Sequence, residues 1–498
     1  MTSPNGPLLQ VNDLFFRYPS LDGRGGASVL DGFSWSVGEG GISVLFGGAD
    51  AGKTTLGRIL AGLIPRFTGG KLTGTRLLNG RDVSSAMPFD LMEEIGLVSQ
   101  DSDEQIFTTR CDSEVAFALE SLGVPRKEMQ DRVDAGLKRM GLAGFAQRNP
   151  ATLSGGEKKR LLLACLDAIG PGLWILDESL GELDQEWKAL VLDDLLAKNR
   201  TVLAMDSRWS ELLCDKGKSF ALLLGGRITA AAHRPDDAQL QTALADAGIL
   251  ARASGHRDVG GGAERRLRAE GIRFQFKDSE DFSLSIDSLE IAQGEICALV
   301  GRNGSGKSTL GRLLCGLLSP DAGSISLGDA SGMRTAAAGE LSRSVGYLFQ
   351  NPDHQIYLPT VREELSLGLK RRGAGRPETD RMVAEAIELF HLPDGEAPPA
   401  LMSYGSRRRL QAATYYLLKR DFLILDEVDS GLSYREVESL LDTIFSQRPG
   451  VILITHDMAL ARSVADRLLL MDRGRAVYDA RRGDFATIPD LPSETALP

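Results

Sequence analysis

Gly301-Arg302-Asn303-Gly304-Ser305-Gly306-Lys307-Ser308 and, earlier in the chain, Gly47-Gly48-Ala49-Asp50-Ala51-Gly52-Lys53-Thr54 both spell G-x-x-x-x-G-K-[ST]. In that pattern the glycines let backbone N–H groups wrap phosphates, the lysine reaches the outer ones and the last hydroxyl ligates Mg2+. The candidate nucleotide contacts of the first loop are Gly47, Gly48, Gly52, Lys53, Thr54 and Thr55. Those of the second are Gly301, Asn303, Gly304, Ser305, Gly306, Lys307, Ser308 and Thr309. Thr54 and Ser308 are also candidate metal ligands. One match in a glycine-rich chain carries little weight; two inside a repeated order of motifs carry much more.

The neighbourhood of each loop agrees. Apolar Ile42-Ser43-Val44-Leu45-Phe46 and Ile296-Cys297-Ala298-Leu299-Val300 come first and read as buried strands, and helical patterns follow from Thr55 and Thr309. Strand, glycine loop and helix N-terminus together aim amides and a positive dipole end at an anion.

Further features recur at an offset of about 250 residues, which marks an internal duplication. Leu173-Trp174-Ile175-Leu176-Asp177-Glu178 and Phe422-Leu423-Ile424-Leu425-Asp426-Glu427 are apolar strands that end in two acids. Beside a phosphate loop, Asp177 and Asp426 can hold Mg2+, while Glu178 and Glu427 can polarise an attacking water. Between the copies, the stretch from Ala251 to Gly262 lacks apolar periodicity and reads as a linker. The expected organisation is domain one at 1–250, a linker at 251–267 and domain two at 268–498.

Composition is consistent with roughly two to four soluble domains in 498 residues. No apolar run approaches a membrane-spanning length, and the N-terminal residues lack the regions of a secretory signal. The five cysteines show no paired metal spacing and read as small core residues of a reducing compartment. A net charge of −11 argues against a nucleic-acid partner.

Before the first acidic strand stands Leu153-Ser154-Gly155-Gly156-Glu157. This resembles the L-S-G-G-Q signature of ATP-binding cassette (ABC) ATPases, in which a serine and two glycines at a helix start approach a γ-phosphate. The resemblance extends over nearly the whole chain, twice. It implies two tandem α/β P-loop nucleotide-binding domains, each with a mixed-sheet core and a helical subdomain, and it implies ATP and Mg2+. By the same resemblance Tyr18 and Phe276 stack on adenine, and Gln100 and Gln350 sense Mg2+ and link hydrolysis to a partner. His456 in Ile454-Thr455-His456-Asp457 fills the switch-histidine slot.

Gln350-Asn351-Pro352-Asp353-His354-Gln355-Ile356-Tyr357 and Gln100-Asp101-Ser102-Asp103-Glu104-Gln105-Ile106-Phe107 narrow the likeness to the ATPases of energy-coupling factor (ECF) transporters. Those proteins sit on the cytoplasmic face of the membrane under a transmembrane coupling subunit and a membrane substrate-binding subunit. They drive uptake of vitamins or of nickel and cobalt ions. The implied partners are therefore membrane proteins, and the implied location is peripheral at the cell membrane. Acids around the glutamines (Asp101, Asp103, Glu104, Glu114, Asp353, Glu363 and Glu364) are expected to receive arginines of the coupling subunit. Lys370 to Arg376 reads as a solvated basic loop, and Arg407-Arg408-Arg409 as part of the second signature helix start.

In ABC dimers each ATP lies between the loop of one domain and the signature of the other, so departures from pattern can be sorted by site. The site with Lys307, Asp426, Glu427 and His456 would be completed by Ser154, Gly155, Gly156, Glu157 and the crossing residue Asp184, and every residue type is present. The site with Lys53 would be completed by Met402-Ser403-Tyr404-Gly405-Ser406, where Ser403 and Gly405 are retained. Tyr404 there replaces a glycine and is expected to obstruct phosphate, and Ser433 replaces the crossing aspartate. Asp50 places a carboxylate in the cradle, and Asp206 or Ser207 takes the histidine slot. That site is expected to turn over negligibly. Two rival readings are a sugar-type ABC importer, which the glutamine segment fits less well, and a soluble ABC factor on ribosomes, which usually carries a long charged insert between its domains. A third, a scaffold without turnover, conflicts with the intact second loop.

Overall fold

Buried apolar strands organise both halves of the computed structural model, which describes residues 6–19, 28–181, 183, 185–250, 265–276, 282–329 and 331–488. The chain divides into two units, Met1–Leu250 and Ala251–Pro498. Most of the stretch expected as a linker lies outside the described residues, and the first strand of the second unit already begins at Arg266.

In the first unit a six-stranded sheet runs in the order Arg227–Ala232, Gly217–Leu224, Gly41–Phe46, Thr201–Asp206, Leu173–Asp177, Ile95–Val98. All neighbours but the first pair are parallel. Leu173–Asp177 is buried throughout and Gly41–Phe46 nearly so, as expected of a parallel sheet covered on both faces. A separate four-stranded antiparallel sheet holds Leu9–Arg17 between Ser28–Val37 and Lys71–Leu78. Helices Cys111–Ser121 and Arg126–Arg139 pack with Gly155–Ile169 around Val115, Leu119, Leu137, Leu163 and Leu166, forming the helical subdomain.

The second unit repeats this plan. Here Ser285 of Ser283–Ala292 pairs with Arg475, so the strands join into one ten-stranded sheet. Its parallel centre is Arg467–Asp472, Ile296–Gly301, Gly450–Ile454, Phe422–Asp426 and Val345–Leu348. In open parallel sheets ligands bind beyond the carboxyl ends of the strands. Both phosphate loops, both acid pairs, both glutamines and His456 lie just past those ends, although the sequence scatters them widely within each half.

All five cysteines are free, and four are buried. Burial pushes the Cys315 thiol up to about 11, consistent with an inert core residue. Among the described residues no helix is long and apolar enough to cross a membrane.

Candidate functional site

In the second unit the loop after Ile296–Gly301 turns into helix Lys307–Leu314 through Gly306 at φ 98°, where an added Cβ would meet Leu284 and Phe282. Lys307 Nζ folds back over the loop and donates to the carbonyls of Gly301 and Arg302 at 2.8 and 2.9 Å. The Ser308 hydroxyl donates to Asp426 Oδ1 at 3.1 Å, and the Tyr347 hydroxyl donates to Asp426 Oδ2. Glu427 is gripped from two sides: Gln350 Nε2 donates to it at 2.6 Å and His456 Nε2 lies 2.5 Å away.

Charge follows this geometry. Burial opposes ionisation of Glu427, but His456, Lys307 and Arg408 outweigh it and hold the carboxyl at about 2. Burial, together with the neighbouring Glu427, raises Asp426 instead. Glu178 and Glu427 both adopt left-handed backbone, at φ 50° and 49°. That conformation is uncommon for non-glycine residues and recurs at functional sites.

The first unit assembles the same positions with different partners. Lys53 donates to the Gly47 and Gly48 carbonyls and lies 3.1 Å from Glu178. Gln100 Nε2 is 3.5 Å from Glu178. The register settles the histidine slot. Leu299 pairs with Ile454 and Leu45 with Met205, and the amides of Glu427 and Glu178 bond the Ile454 and Met205 carbonyls. Ser207, not Asp206, therefore stands where His456 does, and its hydroxyl donates to Glu178 at 3.2 Å. Asp206 is the counterpart of Thr455, and burial pushes it up to about 6.

The residues fit Mg2+. A hydroxyl, a carboxylate and an amide oxygen form the hard-donor set that this ion takes while keeping several waters. Thr54 hydrogen-bonds Asp177, yet the buried Asp177 Oδ1 has no hydrogen-bond partner in the protein. Burial, with Glu178 adding to it, lifts Asp177 to about 6, and a bound cation would reverse that cost. Tyr347 belongs to none of the motifs in the sequence. A lone tyrosine in an otherwise apolar strand, three residues before Gln350, was the available signal; its counterpart in the first unit is Leu97. We expect Tyr347→Phe to raise the Mg2+ concentration for half-maximal nucleotide binding by about tenfold, as loss of outer-shell partners commonly does. Titration of a fluorescent ATP analogue at graded Mg2+ checks this.

Around the signatures, Ser154 caps helix Gly155–Ile169 in a reciprocal pair with Glu157. Ser403 caps Tyr404–Leu418 by accepting from the Ser406 amide at 3.1 Å. The Tyr404 phenol turns back onto its own unit and donates to the Gln350 carbonyl at 2.9 Å. Arg407 and Arg408 are buried within the helix and are not surface charge. Lys159 is likewise fully buried; its ammonium bonds the Ser99 and Gln100 carbonyls. Asp50 is exposed and adopts φ 61°, where the second loop has Gly304 at 77°.

Tyr18 meets the Thr55 hydroxyl at 3.1 Å, and Phe276 is part-exposed against Phe274 and Phe282. Asp184 lies outside the described residues, while Ser433 caps its helix against Glu436. Most residues from Lys370 to Arg376 are exposed, as expected, but the stretch is not all loop: Lys370 and Arg371 end helix Val361–Arg371 and Arg376 begins helix Arg376–Leu389.

The acids expected to receive a partner's arginines are mostly engaged already. Asp103 pairs with Lys158 and Asp353 with Arg407, each at 2.6 Å, and Glu104 pairs with Arg58. Glu114 and Glu364 are buried. Each accepts two backbone amides, those of Phe107 and Thr108 and those of Tyr357 and Leu358 respectively. Glu363 remains exposed. The glutamine segments thus have local reasons for their spelling: Asn351 and Asp101 cap the turn two residues on, and Gln355 and Gln105 tie it down.

The family model described as ABC transporter matches residues 30–181 and again 284–430. A protein of Caldanaerobacter subterraneus named as an ABC transporter ATP-binding protein is 31% identical across 93% of this chain and 90% of its own length. One of Methanosarcina acetivorans with the same name is 30% identical across 99% and 90%. Among solved structures, cbiO1 from Clostridium perfringens, described as part of the ABC transporter complex cbiONQ, matches at a TM-score of 0.41 and 23% identity. It covers 46% of this chain and 93% of its own.

Proposed function

Because this chain belongs to the ABC transporter ATP-binding family, we propose that it energises an ECF-type importer through one competent and one degenerate ATP site. The observation that carries this reading is the grip of Gln350 and His456 on Glu427 beside Lys307, set against the Ser207 and Lys53 contacts of Glu178.

In the competent site the loop amides and Lys307 take the β- and γ-phosphates. Glu427, kept ionised, orients the attacking water, and His456 faces the transferring phosphoryl group. The chemistry is positioning and charge stabilisation. Ser308, Gln350 and Asp426 would hold Mg2+, which when bound neutralises charge developing on the phosphates.

The importer assignment rests on the glutamine segments. Beside them Phe107, packed edge-on against Phe117, is exposed on the first unit and Tyr357 on the second, each an aromatic contact suited to a hydrophobic coupling subunit. In this architecture the ATPase does not touch the cargo, so a vitamin, a cofactor precursor or a transition-metal ion fits equally. The test is affinity purification of the tagged chain from detergent-solubilised membranes, with mass spectrometry and a Mg2+-ATPase assay. A coupling subunit with a small multi-helix membrane protein is the expected result. Ribosomal proteins, or no membrane protein at all, would overturn it.

A further inference from the structure

We propose that Tyr404, the residue that breaks the second signature, is a positioning residue that braces the Gln350 loop of its own domain. The proposal rests on the reading of that domain as the hydrolytic one.

Two peptide carbonyls flank the Gln350 Cα, those of Phe349 and Gln350. Arg408 Nη1 donates to the first at 2.7 Å, and the Tyr404 hydroxyl donates to the second at 2.9 Å. The same hydroxyl accepts from Arg408 Nη2 at 2.8 Å, and the guanidinium carbon sits 5.0 Å from the ring centroid. Gln411 Nε2 adds a bond to the Phe349 carbonyl. With its backbone pinned this way, Gln350 reaches Glu427 at 2.6 Å.

The first domain solves the same problem with one side chain. Its signature keeps Gly155, and Lys159 Nζ serves both matching carbonyls, of Ser99 and Gln100. A compact ammonium can point donors at two neighbouring oxygens, whereas a planar guanidinium fans its donors in fixed directions. Arg408 gives one arm to a carbonyl and one to the phenol, and its buried Nε has no partner. The tyrosine then supplies the bond that the arginine does not. Gly155 with Lys159 and Tyr404 with Arg408 are alternative matched pairs, and the loss of signature glycine is coupled to the gain of arginine.

The experiment compares Tyr404→Phe, Tyr404→Gly and the double variant Tyr404→Gly with Arg408→Lys in the full chain. The readouts are Mg2+-ATP turnover and hydrogen exchange across residues 349–357. Removing the hydroxyl should lower kcat by up to about tenfold, the worth of one net hydrogen bond. KM for ATP should change little, exchange in that segment should quicken, and the melting temperature of Tyr404→Phe should stay near that of the parent. The double variant, which transplants the first-domain pair, should restore slow exchange and most turnover. Unchanged turnover and exchange in Tyr404→Phe, or a gain of turnover in Tyr404→Gly, would overturn the brace. So would failure of the double variant to recover slow exchange. A parent chain without Mg2+-ATPase activity would instead refute the hydrolytic reading, and the exchange data would still decide the brace.

Discussion

Glu427→Gln is expected to abolish steady-state ATP hydrolysis, while Glu178→Gln is expected to leave most of it. Losing one positioned acid–base or charge-stabilising group costs about 10²- to 10³-fold in rate. Glu427 sits where such a loss is fully felt, ionised and held between Gln350 and His456. Glu178 already works without a histidine: Ser207 contacts it at 3.2 Å, Gln100 stands off at 3.5 Å, and Lys53 engages it in an ion pair. A serine neither carries charge nor transfers a proton near neutral pH. In the asymmetric reading that site turns over negligibly, so removing its glutamate is expected to take little from the total rate. Purified variants, assayed for phosphate release at saturating Mg2+-ATP, give the answer. Equal losses from the two single substitutions would end the asymmetric reading.

Glu364→Lys is expected to destabilise the second helical subdomain by about 3 to 5 kcal/mol, because it removes a buried carboxylate, strands two amides and buries a cation. The side chain is 4% exposed, and its Oε2 accepts from the Tyr357 and Leu358 amides at 3.0 and 2.8 Å. Glu114, 5% exposed, does the same for Phe107 and Thr108. These two acids hold the turn that joins each glutamine segment to its following helix. Glu363→Lys, one position away but exposed, should leave stability within about 0.5 kcal/mol. Urea denaturation of the two variants separates the cases. A Glu364→Lys chain that is as stable as the parent and fails only in complex assembly would restore the acid to a docking role.

Much of this molecule is legible in the amino-acid sequence because its decisive signals are local. A phosphate loop is eight consecutive residues, and its strand and helix are its immediate neighbours; the observed strands Gly41–Phe46 and Ile296–Gly301 and helices beginning at Lys53 and Lys307 follow that reading. The acid pairs Asp177-Glu178 and Asp426-Glu427 end apolar runs, so their place at a strand terminus is equally local. Duplication then made each signal check the other. What the tertiary structure alone decided depends on register and on side chains that meet from distant segments. Only the pairing of Leu45 with Met205 shows that Ser207, rather than Asp206, occupies the histidine slot, since a one-residue slip turns every side chain to the other face. A count of acidic residues cannot tell a buried Glu364 from an exposed Glu363, because both stand in one helical turn and only the packed face distinguishes them. Tyr347 on Asp426 and Tyr404 on the Gln350 carbonyl span 79 and 54 positions. Long-range hydrogen bonds of that kind leave no periodic trace in a chain; they exist only once the strands have brought their donors and acceptors together.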